Sequence, residues 1–150
     1  MTSKKLVDEF IAQKNLAIVG VSRNPKKFGN YIYKELKGKG YNVFPVNSGA
    51  EVIDGDSCYP NVKELSGKVE GVIINVPPEE TEKVLRDVNL AGIKKVWMQQ
   101  GSQSKEAEKY CEENGIDFVS NECIIMFAQP TGFGHRAHRW IWGILGKLPK

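Results

Sequence analysis

Short runs of apolar residues recur at intervals along this chain, and several of them stop abruptly at a glycine, an asparagine or a proline. Each run has the length of a strand, and a strand buried on both faces of a parallel sheet has this composition. We therefore predict five strands, at residues 16–19, 41–46, 71–76, 94–98 and 117–119.

In the segments before and between these runs, apolar residues recur at helical spacing. In the opening stretch, MTSKKLVDEFIAQ, Leu6, Val7, Phe10 and Ile11 fall on one face, which predicts an amphipathic helix packed on the domain. This pattern is typical of neither a signal peptide nor a membrane span. Further helices are predicted around 28–39, 62–65, 77–90 and 104–114, and in the first of these Phe28, Ile32 and Leu36 recur every fourth residue. Residues 48–61 should form a loop with at most one short strand.

Repeated alternation of strand and helix is typical of a parallel sheet covered on both faces. We therefore predict an α/β, Rossmann-like, doubly wound fold with a mostly parallel five-stranded sheet and helices on both faces. Residues 1–128 should form this domain, and residues 129–150 a basic aromatic helical extension. In such folds ligands bind beyond the carboxyl ends of the strands, where the strand order reverses.

The first predicted strand leads into a glycine turn, in the stretch LAIVGVSRNPKKFG at residues 16–29. Gly20 permits a sharp turn, and the helix that follows directs main-chain N–H groups and its positive end at the space above the turn. Because Arg23, Lys26 and Lys27 add positive charge, we expect an anion here, and phosphate is the first candidate.

Composition narrows the class of protein. The chain has 150 residues and a net charge of +3, which is too small and too evenly spread to indicate a nucleic-acid-binding surface. Cys58, Cys111 and Cys123 lack the paired spacing of a zinc or redox site, so we interpret them as reduced thiols of a cytoplasmic protein.

The glycine turn departs from the pattern of an NAD site. An NAD site has GxGxxG and an acidic residue after the second strand, which holds the ribose hydroxyls. Here the next glycine after Gly20 is Gly29, and Asn47 ends the second strand. A nucleotide with additional phosphate charge suits this turn better than NAD does.

Five segments, in this order and spacing, resemble the CoA-binding domain family, the stand-alone relatives of the N-terminal domain of the succinyl-CoA ligase alpha subunit. They are LAIVGVSRNPKKFGNYI, YNVFPVN, VIDGDSCYPNVKEL, VIINVPPE and VWMQQGSQSKEA. The resemblance covers residues 16–124 and implies coenzyme A, or an acyl-CoA, as the ligand.

The resemblance also implies where the parts of the ligand contact this chain. The phosphates would lie at the glycine turn, the nucleotide against the end of the second strand, and the pantetheine arm near the turns after the third and fourth strands. The implied binding residues are, in that order, Gly20, Val21, Ser22, Arg23, Asn24, Lys27, Phe28 and Gly29; Val46 and Asn47; and Asn75, Val76, Pro77, Gln100 and Gly101.

Two features separate the chain from its ligase relatives. Family members often have Asp-Arg-Cys where this chain has Asn121, Glu122 and Cys123. The ligase also has a second domain with a phosphorylated histidine and a partner subunit, for which these 150 residues offer no counterpart. We therefore expect binding without catalysis.

Other hypotheses remain open at this point. One is an NAD(P)-dependent oxidoreductase or redox-sensing nucleotide-binding protein, and another is an assembly subunit with a vestigial crevice. Cys123 with His135 or His138 as base could form a nucleophilic site, although the apolar residues after Cys123 favour a structural thiol. The two histidines alone do not predict a metal site. The tail should pack on the domain or on a second subunit, which would give a homodimer.

Overall fold

The fold is built on one five-stranded sheet in which every pair of neighbouring strands is parallel. In the computed structural model, which describes residues 3–128, the strands are β1 (Asn15–Val19), β2 (Asn42–Val46), β5 (Gly71–Ile74), β6 (Lys95–Gln99) and β7 (Asp117–Glu122). Their order is β2-β1-β5-β6-β7. The order reverses between β1 and β5, which is where a Rossmann-like sheet opens a crevice at the carboxyl ends of its strands.

Helices cover both faces of the sheet. They are α1 (Lys4–Ile11), α2 (Phe28–Gly38), α3 (Pro78–Leu90) and α4 (Lys105–Glu113), with short 3₁₀ helices at Val62–Leu65 and Ile124–Met126. On one face, α1, α2 and the second 3₁₀ helix contribute to a core that includes Trp97. On the other face, α3, α4 and the first 3₁₀ helix contribute to a second core around Ile74 and Met98. The predicted fold class is confirmed.

Aromatic rings attach α1 to the sheet. Phe10 of α1 and Phe127 lie with their ring centroids 5.5 Å and 5.8 Å from that of Trp97 in β6. The indole N–H of Trp97 also donates to the carbonyl oxygen of Glu122 at 2.9 Å. The N-terminal helix thus packs on the domain as predicted, with Val7, Phe10 and Ile11 buried.

The segment after β2 differs from the prediction. Two strands of two residues each, β3 (Val52–Ile53) and β4 (Asp56–Ser57), pair in an antiparallel hairpin, so the expected limit of one short strand was wrong. Asp56 in this hairpin accepts hydrogen bonds from the Tyr33 hydroxyl and the Lys37 ammonium of α2. These side-chain contacts hold the hairpin against α2, and their partners are distant in sequence.

Three element boundaries also shift. β5 ends at Ile74, so that Asn75 and Val76 lie beyond the strand, whereas Gln99 belongs to β6 and β7 extends to Glu122. Phe28 is half exposed, because it is the first residue of α2 and lies at the rim of the sheet. Ile32 and Leu36, which follow it at four-residue intervals, are fully buried.

Candidate functional site

The glycine turn after β1, the start of α2 and the residue after β5 pack main chain against main chain. A Cβ atom on Gly20 would lie 2.1 Å from the carbonyl oxygen of Asn75, and Gly20 adopts a φ of +116°. The main-chain N–H of Asn75 donates to the carbonyl of Val19 at 2.8 Å. The structure thus brings together three residues that the sequence predicts in one site, namely Gly20, Gly29 and Asn75.

Hydrogen bonds between residues two apart in sequence shape the loop between Gly20 and α2. The main-chain N–H of Asn24 donates to the Ser22 hydroxyl oxygen at 3.0 Å, and that of Lys26 donates to the Asn24 side-chain oxygen at 3.0 Å. The Ser22 and Asn24 side chains therefore define the loop itself. Their contact with a ligand, which the resemblance implies, remains a prediction.

The amino end of α2 leaves polar groups free for an anion. Lys27 occupies the N-cap position without a side-chain cap, and the first turn of the helix contains no acidic residue. Within the described part of the chain, the main-chain N–H groups of Arg23, Phe28 and Gly29 donate no hydrogen bond. Free N–H groups and the positive end of the helix dipole favour a bound anion.

The other crossover helices begin differently. Glu79 and Glu80 lie in the first turn of α3, and Glu106 and Glu108 lie in the first turn of α4, where the Ser104 side chain also caps the helix. These carboxylates already complement the positive ends of their helices. Among α2, α3 and α4, the start of α2 is therefore the one suited to phosphate.

An open groove of about 420 Å³ lies beyond the ends of β1 and β2, alongside α3. Apolar side chains form part of its walls, and charged and polar side chains contribute the rest. The lining residues are Val19, Val46, Asn47, Ser48, Pro60, Asn61, Val62, Lys63, Val76, Glu80, Lys83, Val84 and Asp87. Three predicted site residues, Val46, Asn47 and Val76, thus face one groove.

Asn47 uses both ends of its side-chain amide within the protein. Its Nδ2 donates to the carbonyl of Val21 at 2.7 Å, and its Oδ1 accepts from the main-chain N–H of Gly49 at 2.7 Å. Its own main-chain N–H donates to the carbonyl of Tyr59 at 2.9 Å. Asn47 therefore ties the glycine turn to the segment after β2.

The structure places Ser22 and Arg23 on a second hollow, of about 260 Å³, and not on the groove. This hollow lies between the glycine turn, α2 and the β3–β4 hairpin, and Lys34 and Asp54 also line it. Arg23 is exposed, and its side chain makes no ion pair with any residue in the described ranges. Its guanidinium is available to a ligand.

A buried hydroxyl joins α3 to the turn after β6. Thr81 is fully buried, and its Oγ1 donates to the carbonyl of Ser102 at 2.6 Å. This bond lies beside the remaining predicted residues, since Pro77 precedes α3 and Gln100 and Gly101 precede Ser102. All three of these predicted residues are exposed.

Two of the three thiols are held in the protonated form by burial. Burial raises the pKa of the Cys58 thiol, and burial, with the neighbouring Glu108 and Glu112, raises that of Cys111 to about 12. Cys123 is partly exposed and accepts a hydrogen bond from Nε2 of Gln99 at 3.4 Å. Its proposed bases, His135 and His138, lie outside the described residues, as does the extension at 129–150.

Sequence reasoning missed two residues of this region. Asn30 is 5% exposed, and its amide pairs with the main chain of Ser22, while Thr81 holds the turn after β6. A polar residue within an apolar helical face is the one sequence signal that could have identified either.

Residues 3–128 contain no group of three His, Cys, Asp or Glu side chains suited to a metal ion. The described helices are all too short or too polar to cross a membrane.

The parallel sheet, its strand order and the glycine turn define a Rossmann-like α/β domain. A family model described as "CoA binding domain" matches residues 14–129, and the chain belongs to that family. The family prediction is confirmed.

Relatives include both large enzymes and small proteins. The alpha subunit of acetate–CoA ligase (ADP-forming) II from Pyrococcus furiosus is 31% identical over 79% of this chain, and the match spans only 28% of that subunit. Protein YneT of Bacillus subtilis, which is uncharacterised, is 26% identical over 81% of this chain and 91% of its own length. A solved structure of a Pyrococcus horikoshii protein has a TM-score of 0.78 and 31% identity, covering 95% of this chain and 94% of that one.

Proposed function

We propose that this chain is a module that binds coenzyme A or an acyl-CoA at the carboxyl edge of its sheet and performs no chemistry on it. The observation that carries the proposal is the start of α2 with the loop before it. The main-chain N–H groups of Arg23, Phe28 and Gly29 are free there, and Arg23, Lys26 and Lys27 in the same stretch carry positive charge. Coenzyme A is rich in phosphate, and membership of the CoA-binding domain family supports it as the ligand.

The groove beyond the ends of β1 and β2 has suitable surroundings for the remainder of the nucleotide. Val46 and Val76 offer apolar contacts, and Ser48, Asn61 and Lys63 offer polar ones. From the start of α2, the pantetheine arm would pass Asn75 and Pro77 toward the turn at Gln100 and Gly101. Small-molecule sites commonly combine apolar walls with a few polar groups in this way.

The absence of catalysis is part of the proposal. The raised thiol pKa values of Cys58 and Cys111 keep both residues protonated and weakly nucleophilic near neutral pH. An NAD(P)-dependent activity is disfavoured because Asn47 stands where an NAD site usually has an acidic residue that binds the ribose hydroxyls. The side-chain amide of Asn47 is already hydrogen-bonded to Val21 and Gly49.

Isothermal titration calorimetry with CoA, acetyl-CoA, dephospho-CoA, NADH and NADPH tests the proposal. We expect saturable binding of CoA and acetyl-CoA, and weaker binding of both nicotinamide nucleotides. Chromatography of acetyl-CoA after prolonged incubation with the protein should recover it unchanged. Absence of a CoA signal at millimolar ligand, tighter binding of NADH, or turnover of acetyl-CoA would each overturn the corresponding part of the proposal.

A further inference from the structure

The peptide group between Val21 and Ser22 is held at both of its ends by side-chain amides. Nδ2 of Asn47 donates to the Val21 carbonyl oxygen at 2.7 Å, and Oδ1 of Asn30 accepts from the Ser22 N–H at 2.8 Å. The two amides come from different elements, since Asn30 lies in α2 and Asn47 follows β2. A peptide group anchored at its N–H and its C=O cannot rotate without breaking both bonds.

Asn30 makes a second bond that fixes the next carbonyl. Its Nδ2 donates to the Ser22 carbonyl oxygen at 2.7 Å, so that one side chain satisfies both main-chain polar groups of Ser22. A side-chain amide both donates and accepts from adjacent atoms, whereas a carboxylate lacks the donor and an alkyl group lacks both. With 5% of its surface exposed, Asn30 offers little surface to a ligand.

We propose that Asn30 is a positioning residue, and that with Asn47 it locks the Val21–Ser22 peptide so that the next N–H, that of Arg23, points at the bound phosphate. The inference rests on the proposed function and concerns how the same site is organised. Polar groups fixed before the ligand arrives bind it without the cost of ordering a flexible loop. A loop free to rotate would bind the same phosphate more weakly.

The test combines CoA affinity with amide exchange at Ser22. Asn30→Ala should accelerate hydrogen exchange of the Ser22 N–H, followed by NMR, and weaken CoA about tenfold, the scale of one lost hydrogen bond. Asn47→Ala should have the same two effects. Asn42→Ala is the matched control. Asn42 begins β2, at the end away from the site, and its amide donates to the Asn15 side chain in β1. This substitution should leave the exchange rate and the CoA affinity within twofold of the wild-type values.

A double-mutant cycle separates positioning from general destabilisation. Because either substitution frees the same peptide, Asn30→Ala combined with Asn47→Ala should weaken CoA clearly less than the product of the two single effects. Multiplicative losses would overturn the inference, as would faster Ser22 exchange with unchanged CoA affinity, or unchanged exchange. If Asn30→Ala does not fold, Asn47→Ala releases the peptide from its other end. If the wild type does not bind CoA, the proposed function is refuted. If the wild type binds CoA and the two variants bind it equally well, only the positioning role is refuted.

Discussion

Gly29, in the first turn of α2, packs directly on the main chain of Gly20: a Cβ atom at Gly29 would lie 2.2 Å from the Gly20 carbonyl oxygen. The contact is with main-chain atoms, and no flexible side chain can move aside to relieve it. Gly29→Ala must therefore push the start of the helix away from the turn. We expect a loss of about 1–3 kcal/mol in the free energy of unfolding, as overpacking typically costs. We also expect CoA affinity to fall at least tenfold, because the displaced groups include the free N–H groups of α2.

Gly38 provides a control within the same helix. A Cβ atom at Gly38 would meet nothing within 4 Å, so Gly38→Ala should preserve CoA binding and raise stability by up to about 1 kcal/mol. Urea unfolding and calorimetry on both variants provide the measurements. Wild-type CoA affinity in Gly29→Ala would contradict the role assigned to this contact.

The hydroxyl of Thr81 should matter to the pantetheine side of the site. Thr81→Val keeps the shape of the side chain but leaves the Ser102 carbonyl without its 2.6 Å partner. We expect a loss of about 1–3 kcal/mol in the free energy of unfolding, the cost of an unsatisfied buried group. We also expect a severalfold loss of affinity for CoA as the turn at Gln100 and Gly101 loosens.

Adenosine 3′,5′-bisphosphate, which lacks the pantetheine arm, separates these two effects of Thr81→Val. Its affinity should remain within twofold of the wild-type value, because the turn after β6 does not contact it in the proposed arrangement. Thr81→Ser retains the hydroxyl and should restore CoA affinity. Equal losses for CoA and for the bisphosphate would show that Thr81 does not act on the pantetheine side.

The central strands were predictable because they are continuous apolar runs buried on both faces, as at Leu16 and Ala17, which belong to the cores on opposite faces. The β3–β4 hairpin was not, since strands of two residues show no periodicity and depend on the bonds of Asp56 to α2. In the candidate site, the glycines and the exposed cationic residues could be predicted from their residue types alone. Their position on apolar helix faces marks Asn30 and Thr81 as unusual, but the main-chain groups that they bind are set by the fold and are not contained in the local pattern.

The Cys111 thiol should make the stability of the protein fall with rising pH in the alkaline range. Burial, with Glu108 and Glu112, raises its pKa in the folded protein to about 12, whereas the ordinary value is 9.0. Between these values the native state retains a proton that the unfolded chain has lost. The stabilisation is therefore complete below pH 9 and declines as the pH rises toward 12. Urea unfolding at pH 8 and pH 10 should show a larger decline for the wild type than for Cys111→Ala, and equal declines would contradict the assignment.

Arg23 should distinguish coenzyme A from dephospho-CoA. Its guanidinium lies on the hollow beside the glycine turn, with Lys34 as a second cation, and forms no ion pair within residues 3–128. If it binds the 3′-phosphate, Arg23→Ala should weaken CoA about tenfold and dephospho-CoA less than threefold, since hydrogen bonds between charged groups are the stronger ones. Arg86→Ala removes the same charge from the exposed Arg86–Glu82 pair on α3 and should change neither affinity appreciably.

Equal losses for the two ligands in Arg23→Ala would place the 3′-phosphate elsewhere. Loss of CoA binding alone, with dephospho-CoA unaffected, would assign Arg23 to that phosphate and not to the pyrophosphate at the start of α2.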